Sequence, residues 1–145
     1  MKIYVDADAC PVKEEVLRVA ERHDIAVYMV ANSWMRLEQS PLINQIIVEE
    51  GADVADDWIV EHIASGDIVI TGDIPLASRA LEKMAYVLGN NGKPFTEANI
   101  GNALAMRDLK AQLRESGEIK GYNPSYRKTD RSRFLQALEE MARHK

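Results

Sequence analysis

The sequence predicts a three-layer α/β/α fold, with a central, mainly parallel sheet of five strands and additional helices at the C-terminus. Short apolar runs alternate with helical patterns along the chain, an order typical of a parallel sheet with right-handed crossovers. Most of these runs are unbroken, as expected for strands that are covered on both faces. The chain has 145 residues, which suits one domain with a sizeable core.

The first half of the chain is predicted to contain three strands and two helices. Residues 3–5 form an apolar run, and Pro11 fits the first turn of the helix that follows. Residues 25–30 form a second apolar run, and residues 46–48 a third. The spacing of apolar residues predicts the second helix over 53–64.

The second half is predicted to contain two more strands, at 68–71 and 86–88, with a helix over 76–84 between them. Thr96 has the position of an N-cap, and Phe95 and Ile100 around it form a hydrophobic staple. This helix is expected to end near Ser116, before Gly117. The last helix is expected to begin near Asp130 and to bury three apolar residues: Phe134, Leu138 and Met141. No linker divides the chain, so residues 1–145 read as a single domain with a basic helical extension at about 97–145.

Charge is unevenly distributed. The net charge is -5, yet residues 105–145 hold 10 of the 18 Lys and Arg residues and 6 of the 23 Asp and Glu residues. An acidic body with a basic tail is typical either of a nucleic-acid contact surface or of an ordinary solvated helix. Cys10 is the single cysteine, the N-terminus lacks a signal-peptide pattern, and no apolar run approaches membrane-spanning length. A cytoplasmic protein without a membrane partner is therefore expected.

Aspartates follow the predicted strands. Asp6 and Asp8 end the first strand, and Asp73 follows the fourth. The carboxyl ends of parallel strands share one edge of a sheet, where ligands of such folds bind. A third group stands at the start of the second helix: Asp53, Asp56 and Asp57. Within it, residues three or four apart share a helix face.

Carboxylates gathered in this way indicate a site for a hard cation such as Mg²⁺ or Mn²⁺. Such a cation offsets their mutual repulsion, binds phosphate and activates water, so phosphodiester hydrolysis is the natural chemistry. The simpler interpretation is helix capping. Asp8, Asp53 and Asp73 each stand where an N-cap is expected, and Asp56 lies in a first turn.

Three ordered motifs carry a family resemblance over essentially the whole chain. They are Asp-Ala-Asp-Ala-Cys-Pro-Val-Lys at 6–13, Gly-Ala-Asp-Val-Ala-Asp-Asp at 51–57 and Thr-Gly-Asp-Ile-Pro-Leu-Ala at 71–77. In these motifs the chain resembles the YaiI/YqxD family of bacterial proteins. That family is grouped with PIN-like nucleases, so the resemblance implies a PIN-like fold.

Flap-type 5′ nucleases offer a wider comparison. They carry an acid-Ala-Asp-Asp segment and then a strand ending in Thr-Gly-Asp, and residues 55–59 and 70–73 are similar in order. The resemblance implies metal-binding roles for Asp6, Asp56, Asp57 and Asp73. Two departures reduce the implied ligand set. Val54 stands where the first acid is expected, although Asp53 precedes it and Asp8 offers a substitute ligand, and Pro75 stands where a further acid is expected.

Other polar residues are candidates for substrate contacts, each with an ordinary structural alternative. The candidates are Lys13, Asn32, Ser33, Thr71, Arg127 and Lys128. The last two belong to a segment that mixes aromatic and basic residues, as single-strand binding sites do. This segment comprises Tyr122, Tyr126, Arg127, Lys128, Arg131 and Arg133. For Cys10, burial is the favoured interpretation, because no histidine lies nearby in sequence to activate a thiol.

Three functions fit the sequence. The leading hypothesis is a Mg²⁺- or Mn²⁺-dependent nuclease acting on RNA or single-stranded nucleic acid. The second is a protein that binds RNA or metal at the same edge without turnover. The third is a phosphatase of the haloacid-dehalogenase type, suggested by Asp6-Ala7-Asp8. It is weakened by Cys10 at a position usually occupied by Thr or Val, and by the apolar residues after Asp73.

Overall fold

The structure is a computed structural model, and it describes residues 1–51, 53–115 and 126–144. Its strands are β1 (Ile3–Asp6), β2 (Val27–Ala31), β3 (Ile43–Ile47), β4 (Ile68–Ile70), β5 (Tyr86–Leu88) and β6 (Pro94–Phe95). Its helices are α1 (Lys13–His23), α2 (Val54–His62), α3 (Ile74–Glu82), α4 (Glu97–Glu115) and α5 (Lys128–Arg143). A short 3₁₀ turn, Ala7–Ala9, follows β1.

The six strands form one sheet in the order β3-β2-β1-β4-β5-β6. The first five are parallel, and only the short β6 runs antiparallel, beside β5. From β1 the chain adds β2 and β3 on one side of the sheet, and then β4, β5 and β6 on the other side. The topological switch point therefore lies between β1 and β4. In open α/β sheets the ligand crevice lies outside the carboxyl ends of the strands at this point.

Helices cover both faces of the sheet and enclose two apolar cores. One core joins α1 and α5 to inward-facing residues of β1 and β2, including Val5, Val16 and Phe134. The other joins α2 and α3 to the opposite face of the sheet, including Val30, Ile59 and Leu76. This alternation along the strands confirms the three-layer α/β/α fold.

Several predicted boundaries were wrong by a few residues. The second strand begins at Val27, and the third occupies Ile43–Ile47 instead of 46–48. Residues 43–46 of β3 are half-buried because β3 lies at the edge of the sheet, so it lacks the continuous apolar pattern of the inner strands. Pro11 lies in the turn before α1, which begins at Lys13. The sixth strand was not predicted, since a two-residue strand carries no detectable period.

The C-terminal helices differ in how deeply they pack. The backbone N–H of Asn99 donates to the hydroxyl of Thr96 at 3.2 Å, which confirms the predicted cap of α4. The predicted end of α4 at Ser116 and Gly117 lies outside the described residues. The last helix begins at Lys128, slightly before the predicted start. It buries Phe134 and Leu138 completely, as predicted, whereas Met141 is half-buried.

Candidate carboxylate site at the sheet's switch point

The two strands that flank the switch point end in polar residues. Asp6 is the last residue of β1, and Thr71 comes directly after β4. These strands are neighbours, with Val5 beside Ile70 in the register. The carboxylate of Asp6 therefore lies next to the hydroxyl of Thr71, at the place where the fold predicts a ligand crevice.

Thr71 connects Asp6 to Asp73 through its buried hydroxyl. The Thr71 Oγ1 donates to Oδ2 of Asp6 at 3.0 Å and accepts from the backbone N–H of Asp73 at 2.9 Å. Thr71 is only 1% exposed, so this hydroxyl would be costly to leave unpaired. The predicted role of Thr71 as a substrate contact remains a prediction, but the structure gives it a positioning role between two acids.

Asp73 caps α3, as the alternative interpretation of this residue proposed. Its Oδ1 accepts from the backbone N–H of Leu76 at 2.9 Å. A carboxylate has a second oxygen with free lone pairs, so capping does not exhaust its capacity as a ligand. Asp73 also raises the pKa of Asp6 and of Asp56 by charge repulsion, which places it within electrostatic range of both.

Asp56 is the most perturbed acid of the site. It lies in the first turn of α2 and is only 9% exposed. Burial, followed by repulsion from Asp73, Asp6 and Asp53, raises its pKa from 3.8 to about 6. The pKa of Asp6 is also raised, chiefly by burial and further by Asp73 and Asp8, although the hydrogen bond from Thr71 acts in the opposite direction. Two neighbouring acids whose pKa values are both raised, chiefly by burial, indicate a functional site.

Asp8 and Asp53 lie at the rim of this group. Asp8 is exposed and accepts from the backbone N–H of Asn32 with both carboxylate oxygens, at 3.1 Å each, which ties the end of β1 to the end of β2. It does not cap α1, whose N-cap residue is Val12. Asp53 stands at the N-cap position of α2 with a left-handed backbone, φ 67°, and its side chain makes no capping hydrogen bond.

Asp57 lies outside the group. Its carboxylate is exposed and pairs with the guanidinium of Arg79 on α3 at 2.8 Å. It is not among the charges that act on Asp6 or Asp56. The difference follows from helix geometry, since consecutive residues point about 100° apart. Asp56 faces the sheet edge, and Asp57 faces the neighbouring helix.

The carboxylates of the site are of the ligand type that a hard divalent cation prefers. Asp6, Asp56 and Asp73 supply oxygen ligands only, and like charges gathered in one crevice are stabilised by a cation. Among the described residues, no group of three His, Cys, Asp or Glu side chains is already arranged to hold a metal ion. Metal binding would thus require side-chain rotation, for which Asp56 is suited because no described residue donates a hydrogen bond to it.

Of the predicted substrate-binding residues other than Thr71, Asn32 contacts an acid of the group, Asp8, through its backbone N–H. Asn32 and Ser33 are exposed, directly after β2. Lys13 is half-buried at the start of α1 and lines a groove with Arg36. Arg127 and Lys128 are exposed at the start of α5, where the backbone N–H of Arg127 donates to Asp130 at 3.0 Å.

Two residues of the segment that mixes aromatic and basic side chains, Tyr126 and Arg131, make contacts within the protein. The hydroxyl of Tyr126 donates to the backbone carbonyl of Asn90 at 2.6 Å. The guanidinium of Arg131 lies 5.2 Å from the Tyr126 ring centre and bonds the carbonyl of Pro11 at 2.8 Å and Glu15 at 3.2 Å. Tyr122, from the same segment, lies outside the described residues. The described part of this segment anchors α5 beside the carboxyl edge of the sheet.

Asn90 is a site neighbour that the sequence analysis missed. It follows β5 closely, as Asp73 follows β4, and a Cβ on Gly72 would lie 3.3 Å from its Nδ2. Its Oδ1 is buried and has no hydrogen-bond donor among the described residues. Its position two residues after a parallel strand was the available signal, but the Gly-Asn-Asn-Gly sequence around it reads first as a turn.

Cys10 is buried, with 5% exposure, in agreement with the interpretation that its sequence context favoured. Burial is also the main cause that raises the pKa of its thiol, which argues against a reactive thiolate. None of the helices in the described part of the chain is long and apolar enough to cross a membrane.

The fold and its edge together define the class: a doubly wound α/β protein with a carboxylate cluster at its topological switch point. Comparison with known sequences then identifies the family. The chain matches the family model described as "Uncharacterized BCR, YaiI/YqxD family" over residues 4–144, and it therefore belongs to the YaiI/YqxD family. The resemblance drawn from the three sequence motifs is thereby confirmed.

Curated relatives cover nearly the whole chain. A UPF0178 protein of Parvibaculum lavamentivorans is 60% identical over 96% of this chain and 91% of its own length. UPF0178 proteins of Mesorhizobium japonicum and Paramagnetospirillum magneticum are 57% and 59% identical, each over 97% of this chain and over 91% and 93% of their own lengths. No solved structure matches the chain.

Proposed function

We propose that this protein is a Mg²⁺- or Mn²⁺-dependent nuclease of the PIN-like kind that hydrolyses phosphodiester bonds in RNA or single-stranded nucleic acid. The observation that carries the proposal is the mutual repulsion of Asp6, Asp56 and Asp73 at the switch point. A bound cation would relieve this repulsion.

Each residue of the site has a separate role in the proposed reaction. Asp6, Asp56 and Asp73 would hold the cation, with Asp8 and Asp53 available at the rim. When bound, the cation would neutralise a phosphate and make water a stronger nucleophile. Thr71 fixes the distance between β1 and β4 by its two hydrogen bonds. The burial of Asp56 excludes part of the solvent, which strengthens electrostatic interactions with a bound phosphate.

Cleavage of labelled single-stranded RNA and DNA by the purified protein tests the proposal, with Mn²⁺, with Mg²⁺ and with EDTA. Asp73→Asn is the key variant, because Asn is as good an N-cap as Asp and leaves α3 intact. The wild type is expected to cleave only with metal, and Asp73→Asn to lose at least about 100-fold of this activity. Equal cleavage by both proteins would identify a contaminating nuclease and overturn the proposal.

A specific observation favours one alternative, a protein that binds RNA or metal without turnover. The described residues hold no preformed set of three metal ligands, and catalysis needs a geometry that is fixed before the substrate arrives. The cleavage assay, together with a binding measurement on the same labelled strands, separates the two. Metal-dependent RNA affinity without cleavage of any single-stranded substrate would establish the binding protein.

A further inference from the structure

A groove runs along α1. Its opposite wall is residues 36–38. They belong to the segment 32–42, which connects the parallel strands β2 and β3 without a helix. Two adjoining hollows of about 480 and 590 Å³ share four lining residues: Lys13, Glu14, Arg36 and Leu37. The larger one reaches Cys10 and Pro11, which directly follow the Ala7–Ala9 turn that carries Asp8, so this end of the groove is adjacent to Asp8 in the chain.

Trp34 stands on the connecting segment with its side chain in solvent, at 67% exposure. The backbone on both sides of it is held in place. The N–H of Asn32 donates to Asp8, and Gln45 on β3 both accepts from Met35 N–H at 3.0 Å and donates to its carbonyl at 2.7 Å. An indole that is exposed on a fixed backbone is a preformed surface for another planar group.

Trp34 lies close along the chain to the residue that contacts Asp8. Its Cα lies two residues from Asn32, whose N–H contacts Asp8, and two residues span at most about 7 Å. That length is comparable to the spacing of adjacent nucleotides in an extended strand. A base stacked on the indole would therefore leave a neighbouring phosphate within reach of the rim of the site at Asp8.

The cations of the groove suit phosphates but do not dominate its charge. Lys13, Arg18 and Arg36 line it, and none of them makes an ion pair with another residue that the structure describes. Four glutamates line the same two hollows: Glu14, Glu15, Glu21 and Glu38. Arg131 also lines one hollow, and it is paired with Glu15. The local charge is thus balanced, so affinity for a polyanion has to come mainly from stacking, with a few phosphate contacts fixing the register.

We propose that Trp34 is a base-stacking platform for single-stranded nucleic acid, and that Lys13 and Arg36 contact the phosphates that lead from it to the carboxylate site. This inference deepens the proposed nuclease function and rests on it for the class of polymer. An unpaired strand is required, because the bases of a duplex stack on one another and expose no face to the indole.

Intrinsic fluorescence tests this inference directly, because the chain has two tryptophans, Trp34 and Trp58. In Trp58→Phe, Trp34 is the only indole. Short oligo(U) or oligo(dT), with Ca²⁺ in place of Mn²⁺, is expected to quench its emission saturably, whereas a duplex is not. In Trp34→Phe, the remaining Trp58 is expected to respond little, since it packs among Tyr4, Tyr28 and His62.

Anisotropy of a labelled oligonucleotide gives a second measurement that uses the wild-type background. Trp34→Ala is expected to weaken binding about 5- to 100-fold. Tyr86→Ala is the matched control, because Tyr86 is an aromatic residue with 54% exposure at the amino end of β5, on the opposite edge of the sheet. It is expected to bind like the wild type. Replacing Lys13 and Arg36 together by Gln is expected to reduce the salt slope of log Kd by about 1.4.

Three outcomes would overturn the inference: no binding of any single strand, equal affinity of Trp34→Ala and Tyr86→Ala, or unquenched Trp34 emission when a strand is bound. Failure of the nuclease proposal is distinguishable from these. Quenching of Trp34 without metal-dependent cleavage would refute only the nuclease. Metal-dependent cleavage by Trp34→Ala with an unchanged KM would refute only the stacking platform.

Discussion

Asp56→Asn is expected to stabilise the metal-free protein at neutral and alkaline pH. In the folded chain, burial and three neighbouring carboxylates raise the pKa of Asp56 from 3.8 to about 6. The unfolded chain therefore releases this proton at lower pH than the folded chain does. Between about pH 4 and 6 the folded state holds more protons, so the free energy of unfolding falls as the pH rises. Asn has nearly the same shape and no charge, which removes this penalty.

The size of the effect follows from the two pKa values. Their difference corresponds to a ceiling of about 3 kcal/mol at pH 8. Solvent screens part of the repulsion, because Asp53 is exposed, and we expect about 1–2 kcal/mol. For a chain of this length the melting temperature would rise by roughly 3–8 °C. Below pH 4 both states carry a protonated Asp56, and the advantage of Asn should disappear.

Thermal unfolding in EDTA at pH 4, 6 and 8 measures this effect. Asp57→Asn is the matched control, since Asp57 is the adjacent carboxylate but is exposed and paired with Arg79. The Asp57→Asn substitution is expected to leave the melting temperature unchanged or to lower it slightly at every pH. In a separate measurement without EDTA, Mn²⁺ at ten times its Kd should raise the free energy of unfolding of the wild type by about 1.4 kcal/mol. This would reduce the difference in stability between the wild type and Asp56→Asn. An Asp56→Asn protein that is less stable than the wild type at pH 8 would refute the reasoning.

Three further variants probe the supports of the site. Thr71→Val should destabilise the chain by about 1–3 kcal/mol in urea titrations and reduce metal-dependent cleavage, because it leaves Asp6 and a backbone N–H unpaired, whereas Thr71→Ser should retain both properties. Phe134→Ala should cost about 3–5 kcal/mol in the same titrations, since this ring is fully buried between α5 and the sheet; a loss below about 1 kcal/mol would contradict this packing. Gly92→Ala should also destabilise the chain, because φ is +85° and the new Cβ would lie 2.6 Å from the backbone of α5; unchanged urea midpoints would argue against this close approach.

Three of the four inner strands were predictable because burial on both faces leaves a continuous apolar run. β1, β4 and β5 were predicted to within a residue at each end for this reason. The third strand was displaced because its place at the sheet edge permits Asn44 and Gln45 in its middle. The Gln45 side chain forms two hydrogen bonds with the backbone of Met35. The spacing of apolar residues in the sequence does not reveal such a contact.

The candidate site divides in a similar way. The sequence by itself determined which residues carry carboxylates and that β1 and β4 end in them, because strand patterns are local and parallel strands share an edge. Only the tertiary structure decided that Asp56 joins Asp6 and Asp73 while Asp57 turns to Arg79, and that Asn90 and Trp34 border the same edge. These outcomes depend on side-chain direction and on contacts between segments that are distant in the chain, and the spacing of residues in a sequence records neither of them.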